Sequence, residues 1–267
     1  MVIDFHTHIF PDSIAGRTIK KLEGISNSKA YSNGTLAGLK KSMKENKIDI
    51  SVVLPVVTKP SQFDTVNTYA AEITGKEGII SFGGIHPDAL DYKEQLEKIK
   101  ELGLLGIKLH PDYQAMYIDD ERMIRVILSA VELGLIVVIH AGMDIGMPDP
   151  VRCTPERAAK MLDRVERSDA KIVLAHTGGY ARWDEVEEYI VGRNVWIDIS
   201  YSLGIIEDKQ FMRIVQNHGA DRTLFATDSP WGGQKETLEH LRKLDFSEEE
   251  LERICCTNAM GLLGLRR

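Results

Sequence analysis

The sequence predicts a (β/α)₈ barrel, on three observations. Its 267 residues are long for one ordinary domain and match such a barrel, at about 250 residues. Eight short apolar runs rich in Val and Ile recur along the chain, most of them continuous rather than alternating, as in strands covered on both faces. Segments of helical period separate the runs. An open doubly wound sheet is the alternative arrangement of the same alternation.

In order, the runs are Val2–Phe5, Ile50–Val57, Ile79–Ile85, Leu104–Leu109, Leu135–Ile139, Lys171–Ala175, Val195–Ile199 and Thr223–Ala226. Between the third and fourth, Asp91 with Glu94 predicts a helix start, and Leu96, Ile99 and Leu102 line one face. Met123, Ile127 and Val131 form a stripe behind the acidic Asp119-Asp120-Glu121, where negative charge favours a helix N-terminus. Thr154 before Pro155 reads as a cap followed by proline at the first helical position, with Ala158, Met161, Leu162 and Val165 at helical spacing. Ser247 with Glu250 predicts a capping box for the last helix, whose apolar face includes Leu251, Ile254 and Cys255. No linker, charge block or low-complexity stretch divides residues 1–267, which read as a single domain.

Lys plus Arg number 33 against 40 Asp plus Glu, a net charge of −7 with pI near 5.7. With no basic surplus and no basic cluster to neutralise phosphates, a nucleic-acid partner is not expected. Apolar stretches such as Leu135–Ile139 are too short to span a bilayer, so no membrane partner is expected. Met-Val-Ile-Asp-Phe-His lacks the basic start and apolar core of a signal peptide. Cys153, Cys255 and Cys256, an odd count with two adjacent, make a poor disulfide framework, and the adjacent pair is expected in the core. The expectation is a soluble, reduced, cytoplasmic protein.

Most histidines fall where strands end. His6 and His8 close the first run, His86 the third, His110 the fourth, His140 the fifth and His176 the sixth, while Asp228 closes the eighth. In a barrel those ends converge on the mouth, where active sites are built. His218 and His240 fall in helical segments and are expected at the surface. Residues two apart on a strand share a face, so Asp4, His6 and His8 are expected to point together. Paired imidazoles with a carboxylate suit Zn²⁺ best, with Mn²⁺, Fe²⁺ or Co²⁺ as alternatives. Asp4 either orients a ligand histidine or is satisfied by backbone amides. Lys108 and His110 share a face of the fourth strand; a lysine inside a barrel needs a partner, and a substrate carboxylate is one. His86, His110 and Arg152 are further candidates for substrate binding. Tyr113, Gln114, Arg152, Tyr201 and Trp231 lie in strand-to-helix loops, where solvent exposure is the default.

Asp4-Phe5-His6-Thr7-His8, Val138-Ile139-His140-Ala141-Gly142, Leu174-Ala175-His176-Thr177-Gly178-Gly179 and Ala226-Thr227-Asp228-Ser229-Pro230 together resemble the amidohydrolase superfamily. More narrowly they resemble its amidohydrolase-2 branch, which includes enzymes like aminocarboxymuconate-semialdehyde decarboxylase. The resemblance runs in order from residue 4 to Asn258-Ala259. It implies a distorted (β/α)₈ barrel and one divalent metal held by His6, His8, His140 and Asp228, with His176 as acid/base. Binuclear members bridge two metals through a carboxylated Lys or a Glu at the end of strand four. This chain reads Gly106-Ile107-Lys108-Leu109-His110-Pro111 there, and an unmodified Lys108 with no second metal is expected. Gly84-Ile85-His86-Pro87 also resembles TatD-type nucleases, whose strand-four Glu is absent.

The expected function is hydrolysis of an amide, lactone or ester bond in a small molecule by a metal-activated water. Asp228 would take the water's proton and His176 would protonate the leaving group. Non-oxidative decarboxylation is the second reading, and hydration of a conjugated diacid the third. Lys108 and Arg152 hint at a carboxylated substrate. A catalytically silent barrel that binds a small molecule is the alternative of another class, against which the complete His6, His8, His140, His176 and Asp228 set speaks. The oligomeric state is left open, a homodimer included.

Overall fold

The structure, a computed structural model, describes residues 1–165 and 167–266. The predicted runs become parallel strands: β1 (Ile3–Thr7), β2 (Ile50–Val53), β3 (Ile79–Ser81), β4 (Gly83–Gly84), β5 (Gly106–Leu109), β6 (Ile136–Ile139), β7 (Ile172–Leu174), β8 (Trp196–Asp198) and β9 (Thr223–Leu224). Nine segments make eight staves, because β3 and β4 are one predicted strand interrupted at Phe82. The ladders run β1-β2-β3 and β4 through β9 in sequence order. Backbone bonds close the ring: Phe5 N donates to Phe225 O (2.9 Å), and Asp228 N to His6 O (2.8 Å). The first and last staves therefore meet, as a barrel requires and an open sheet does not.

Side chains alternate across the wall, as successive strand residues must. On β6, Ile136 and Val138 pack inside with Ile3, Phe5, Val52, Phe82 and Val173. Val137 and Ile139 face outward into the layer shared with the helices. On β5 the outward residues are Ile107 and Leu109. Lys108, paired in register with Val138, therefore points into the barrel.

Two helices, α1 (Asp12–Ser26) and α2 (Leu36–Asn46), separate β1 from β2. The others are α3 (Phe63–Ile73), α4 (Tyr92–Glu101), α5 (Glu121–Glu132), α6 (Pro155–Val165), α7 (Trp183–Tyr189), α8 (Asp208–His218) and α9 (Gln234–Leu241). The predicted cap of α6 forms, with Arg157 N donating to Thr154 Oγ1 at 3.2 Å. The box at Asp91 and Glu94 does not; the Asp91 carboxylate takes Gln95 Nε2 instead. Ser247 and Glu250 make the full capping box of α10 (Glu248–Glu252). A π-turn at Arg253–Thr257 leads into α11 (Asn258–Leu263). Cys256, Ala259, Met260, Leu262 and Leu263 then seal the barrel floor against Ile3, Phe5 and Leu224. Among the described residues, no helix is long and apolar enough to cross a membrane.

Candidate metal centre

The register of β1 against β2 slips between Asp4 and Thr7. Phe5 fills the interior, yet His6 also faces inward, against Lys108. A bulge of this kind puts two consecutive residues on one side. The expectation that Asp4 shares a face with His6 and His8 is corrected accordingly. The buried Asp4 carboxylate accepts Thr227 Oγ1 (2.6 Å), Thr227 N (3.0 Å) and Gln234 Nε2 (2.8 Å), tying the first stave to the last. Burial pushes it up to about 7 against the pull of those bonds.

Beyond the bulge, three side chains converge. His6 Nε2 lies 3.1 Å from His8 Nε2 and 3.4 Å from Asp228 Oδ1, and His8 Nε2 lies 3.1 Å from the same oxygen. The other ring nitrogens settle where the protons are. His6 Nδ1 faces Asp198 Oδ2 at 2.8 Å and His8 Nδ1 faces the Leu54 carbonyl at 2.8 Å; both partners only accept. Each Nδ1 carries a hydrogen, so in the neutral rings each Nε2 presents a lone pair. The Lys108 amine meets the His6 lone pair at 3.1 Å, but the His8 lone pair and the Asp228 oxygen, 3.1 Å apart, still repel one another unless a cation joins them. The donor set fits a divalent ion. Burial, and then the Lys108 charge, press the His6 pKa down to about 3, favouring the neutral, ligating form.

Lys108 is wholly buried, with Nζ 3.1 Å from His6 Nε2. Burial lowers its pKa to about 8, with the Asp198 and Asp228 charges opposing. Burial raises the Asp228 carboxyl, and the His6, His8 and His176 imidazoles around it draw it below the usual carboxylate range.

His140 stands apart from that compact triplet. Its Nδ1 lies 3.0 Å from His176 Nε2. His176 Nδ1 faces the Ser200 carbonyl at 3.0 Å and so carries its hydrogen there, leaving a lone pair on Nε2. His140 Nε2 and Asp112 Oδ2 are buried without hydrogen-bond partners, 3.8 Å apart. His140 Nε2 thus points toward the Asp112 carboxylate without hydrogen-bonding it, while Nδ1 meets His176. Residues of the mouth hold left-handed backbone, among them His176 (φ 60°), Thr177 (φ 55°), Tyr201 (φ 49°) and Asp228 (φ 64°). Non-glycine residues adopt this conformation at a cost, and it is met where geometry is dictated by function.

His110, His140 and Asp144 make a second buried group of ligand-type atoms. Tyr113 N donates to His110 Nδ1 (3.4 Å), and His110 Nε2 faces Asp144 Oδ2 (3.5 Å). Burial presses His110 down to about 4. Arg152 belongs to this side, its backbone N donating to Asp112 Oδ1 (3.1 Å). His86 is held locally, its Nδ1 accepting Asp88 N at 3.1 Å.

Several loop residues expected in solvent are not there. Gln114 is buried, accepting from His110 N and donating to the Val57 and Ile85 carbonyls, so that it clamps three strand exits. Tyr113, Arg152, Tyr201 and Trp231 are half-buried. His218 is buried too, with Nε2 on the Val195 carbonyl at 2.9 Å, whereas His240 pairs with Asp208. A helical position can face the sheet as easily as solvent, and His218 ends α8 on its packed side. Asp198, Asp112 and Asp144 escaped the sequence reading. The one signal was a carboxylate inside the apolar run Trp196-Ile197-Asp198-Ile199, where a buried charge demands a partner.

A family model described as Amidohydrolase matches residues 3–265. No curated protein gives a significant match. Among solved structures, the fold is similar to an uncharacterized barrel protein from Bordetella bronchiseptica (TM-score 0.78, 20% identity, 98% of each chain covered). It is also similar to a dihydroxybenzoic acid decarboxylase from Polaromonas, solved with manganese and the inhibitor 2-nitroresorcinol (TM-score 0.72, 16% identity, 100% of this chain and 97% of that one). A third is a proposed 2-pyrone-4,6-dicarboxylic acid hydrolase from Pseudomonas putida (TM-score 0.67, 17% identity, 98% of this chain and 97% of that one). At these identities the likeness is one of fold.

Proposed function

The chain belongs to the amidohydrolase family, and on that premise we propose that it is a metal-dependent hydrolase cleaving an amide, lactone or ester bond of a small molecule. The observation that carries this reading is the triangle of His6 Nε2, His8 Nε2 and Asp228 Oδ1, with no separation above 3.4 Å and with both Nδ1 atoms turned to acceptors. One divalent ion is proposed, Zn²⁺ by its fit to two imidazoles and a carboxylate, with Mn²⁺, Fe²⁺ and Co²⁺ as the substitutes to try. His140 Nδ1 is the proposed fourth donor. Such an ion, when bound, lowers the pKa of a water toward about 7 and polarises a substrate oxygen.

The chain's own groups do the rest. Asp228 contributes one oxygen to the triangle and has the other to accept a proton from water. His176 keeps one hydrogen on Nδ1 against Ser200, which leaves Nε2 as the atom that receives a proton and passes it to the leaving group. Lys108 offers a substrate carboxylate a buried cation, with Arg152 and His110 on the adjoining wall. The buried, unpaired Cys153, Cys255 and Cys256 suit a reducing compartment, and the cytoplasm is proposed.

Decarboxylation is the second reading, and a ring series favours it. Tyr113 stacks on His110 (3.9 Å), His110 on His140 (4.1 Å), and His140, His176, Tyr180 and Tyr201 follow in successive contact. A wall of rings beside a buried amine suits a flat carboxylated molecule, and the similar Polaromonas protein is a decarboxylase of one. In that case His176 Nε2 first takes up a proton from water and then delivers it to the ring carbon as the bond to the carboxylate breaks and CO₂ leaves. The test is a turnover screen of Zn²⁺- and Mn²⁺-loaded protein against lactones, N-acyl amines and aromatic or muconate-type acids, with CO₂ followed separately. Water addition without CO₂ upholds the hydrolase. CO₂ without water addition moves decarboxylation to first place, and full metal loading with no turnover across the screen favours a binding protein.

A further inference from the structure

Asp198 ends β8 with its side chain wholly buried, and its two oxygens serve two different catalytic groups. Oδ2 accepts His6 Nδ1 at 2.8 Å. Oδ1 accepts His176 N at 3.1 Å, Ser200 N at 3.0 Å and the Ser200 hydroxyl. That hydroxyl also lies 3.1 Å from His6 Nδ1 and 3.0 Å from His176 Nδ1. Two imidazoles whose ring centres lie 5.3 Å apart thus turn the same nitrogen, Nδ1, toward one carboxylate–hydroxyl pair and keep Nε2 for the site. Four donors on one carboxylate exceed what anchoring a strand end requires.

We infer that Asp198 is a positioning residue which dictates the tautomer of His6 and holds the backbone of His176, so that metal retention and proton transfer depend on one carboxylate. The inference rests on reading His6, His8 and Asp228 as the metal triangle. An ionised carboxylate accepts only, so His6 must place its hydrogen on Nδ1 and keep Nε2 free to ligate. The same group receives the N–H of His176, a residue in left-handed backbone (φ 60°) that needs an external partner to stay there.

The isosteric Asp198→Asn change separates this role from simple packing. Three donors converge where Oδ1 sits, so the amide oxygen must remain there. The NH₂ group then takes the place of Oδ2 and donates to His6 Nδ1. His6 is forced to carry its hydrogen on Nε2, the ligating atom, at unchanged side-chain volume.

The experiment uses the full chain labelled with ¹⁵N-histidine, with long-range proton–nitrogen spectra to read tautomers and chelator competition to read Zn²⁺ affinity. The parent is expected to show His6 protonated at Nδ1. Asp198→Asn is expected to move that proton to Nε2 and to weaken Zn²⁺ on the order of ten- to a hundredfold, with metal-free melting little changed. Parental Zn²⁺ affinity in Asp198→Asn overturns the inference, as does a parent His6 protonated at Nε2. The second result needs no variant to fold. Ser200→Ala, which leaves the Asp198–His6 bond in place, should keep the parental affinity; a loss equal to that of Asp198→Asn would show general disruption of β8 and also overturn it. His8→Ala touches neither group and isolates the underlying reading. If it keeps full affinity the metal triangle itself is wrong; if it loses Zn²⁺ while Asp198→Asn does not, only the role of Asp198 falls.

Discussion

His6, His8 and Asp228 on one side, and His110, His140 and Asp144 on the other, are two triplets of identical composition in one barrel mouth. Their rings stand differently. Those of His6 and His8 cross at 74°, whereas those of His110 and His140 stack 4.1 Å apart at 9°. A ring nitrogen's lone pair lies in the ring plane, so crossed rings can aim at one point and stacked rings aim along parallel lines. The protons differ as well. His6 and His8 give their hydrogens to acceptors behind them, while His110 accepts Tyr113 N at Nδ1 and so carries its hydrogen on Nε2, toward Asp144. Composition alone does not make a metal site; ring attitude and tautomer decide which triplet can hold an ion.

The largest expected effect follows directly. Replacing both His6 and His8 by Ala should leave a folded barrel with essentially no metal, while His110→Ala should keep about one equivalent, measured by emission spectroscopy after reloading. Losing two donors from about four removes most of the affinity. Metal retained by the double variant, or lost from His110→Ala, would invert the assignment of the triplets.

His140 belongs to the second triplet by contact and to the proposed ligand set by its Nδ1. His176→Ala should keep its metal and lose on the order of 10²–10⁴ in turnover, the range for a positioned acid/base. His140→Ala should bind metal more weakly and regain activity at high metal concentration. Should His140→Ala leave metal affinity intact, the residue is part of the second triplet alone.

The second triplet should announce itself in acid. His110 has an ordinary value of 6.5 unfolded and about 4 when folded, so the unfolded chain binds the extra proton between them. Its stabilising contribution is complete above 6.5 and lost as pH falls toward 4, about 3 kcal/mol at most. Asp112, raised by burial to about 6, acts in the opposite sense, so the contrast between parent and His110→Asn isolates the histidine. Melting temperatures of metal-free protein should fall less steeply from pH 7 to 4.5 in His110→Asn. Equal slopes would mean that His110 titrates normally.

The smallest expected effect is none. Lys108 is predicted to carry a free amine, so bicarbonate added to the metal-free protein should leave reconstituted activity unchanged. A bridging carbamate would join two metals, and a neutral-pH crystal with planar density on Lys108 between two ions would merge the triplets into one site.

Much of this was legible in advance, and for a physical reason. Apolar runs mark staves because a covered parallel strand must bury both faces, and a histidine just past such a run lands at the mouth. What stayed hidden depends on contacts distant in sequence. Nothing local announces the β1 bulge that parts Asp4 from His6. Gln114 and His218 lie in segments whose exposure depends on what packs over them. Asp91 shows the converse, a local capping signal overridden when Gln95 takes its carboxylate.

The meeting of first and last staves also bears on when the centre can come into being. His6 leaves the ribosome more than two hundred residues before Asp228, and the helix that plugs the floor follows later still. An emerging chain therefore holds the histidine pair long before its carboxylate exists, and its affinity should rise only once the ring has shut. Ion capture would then serve as a timestamp of ring closure: a nascent or truncated barrel ending before residue 228 should not keep a metal, however well its early staves have paired.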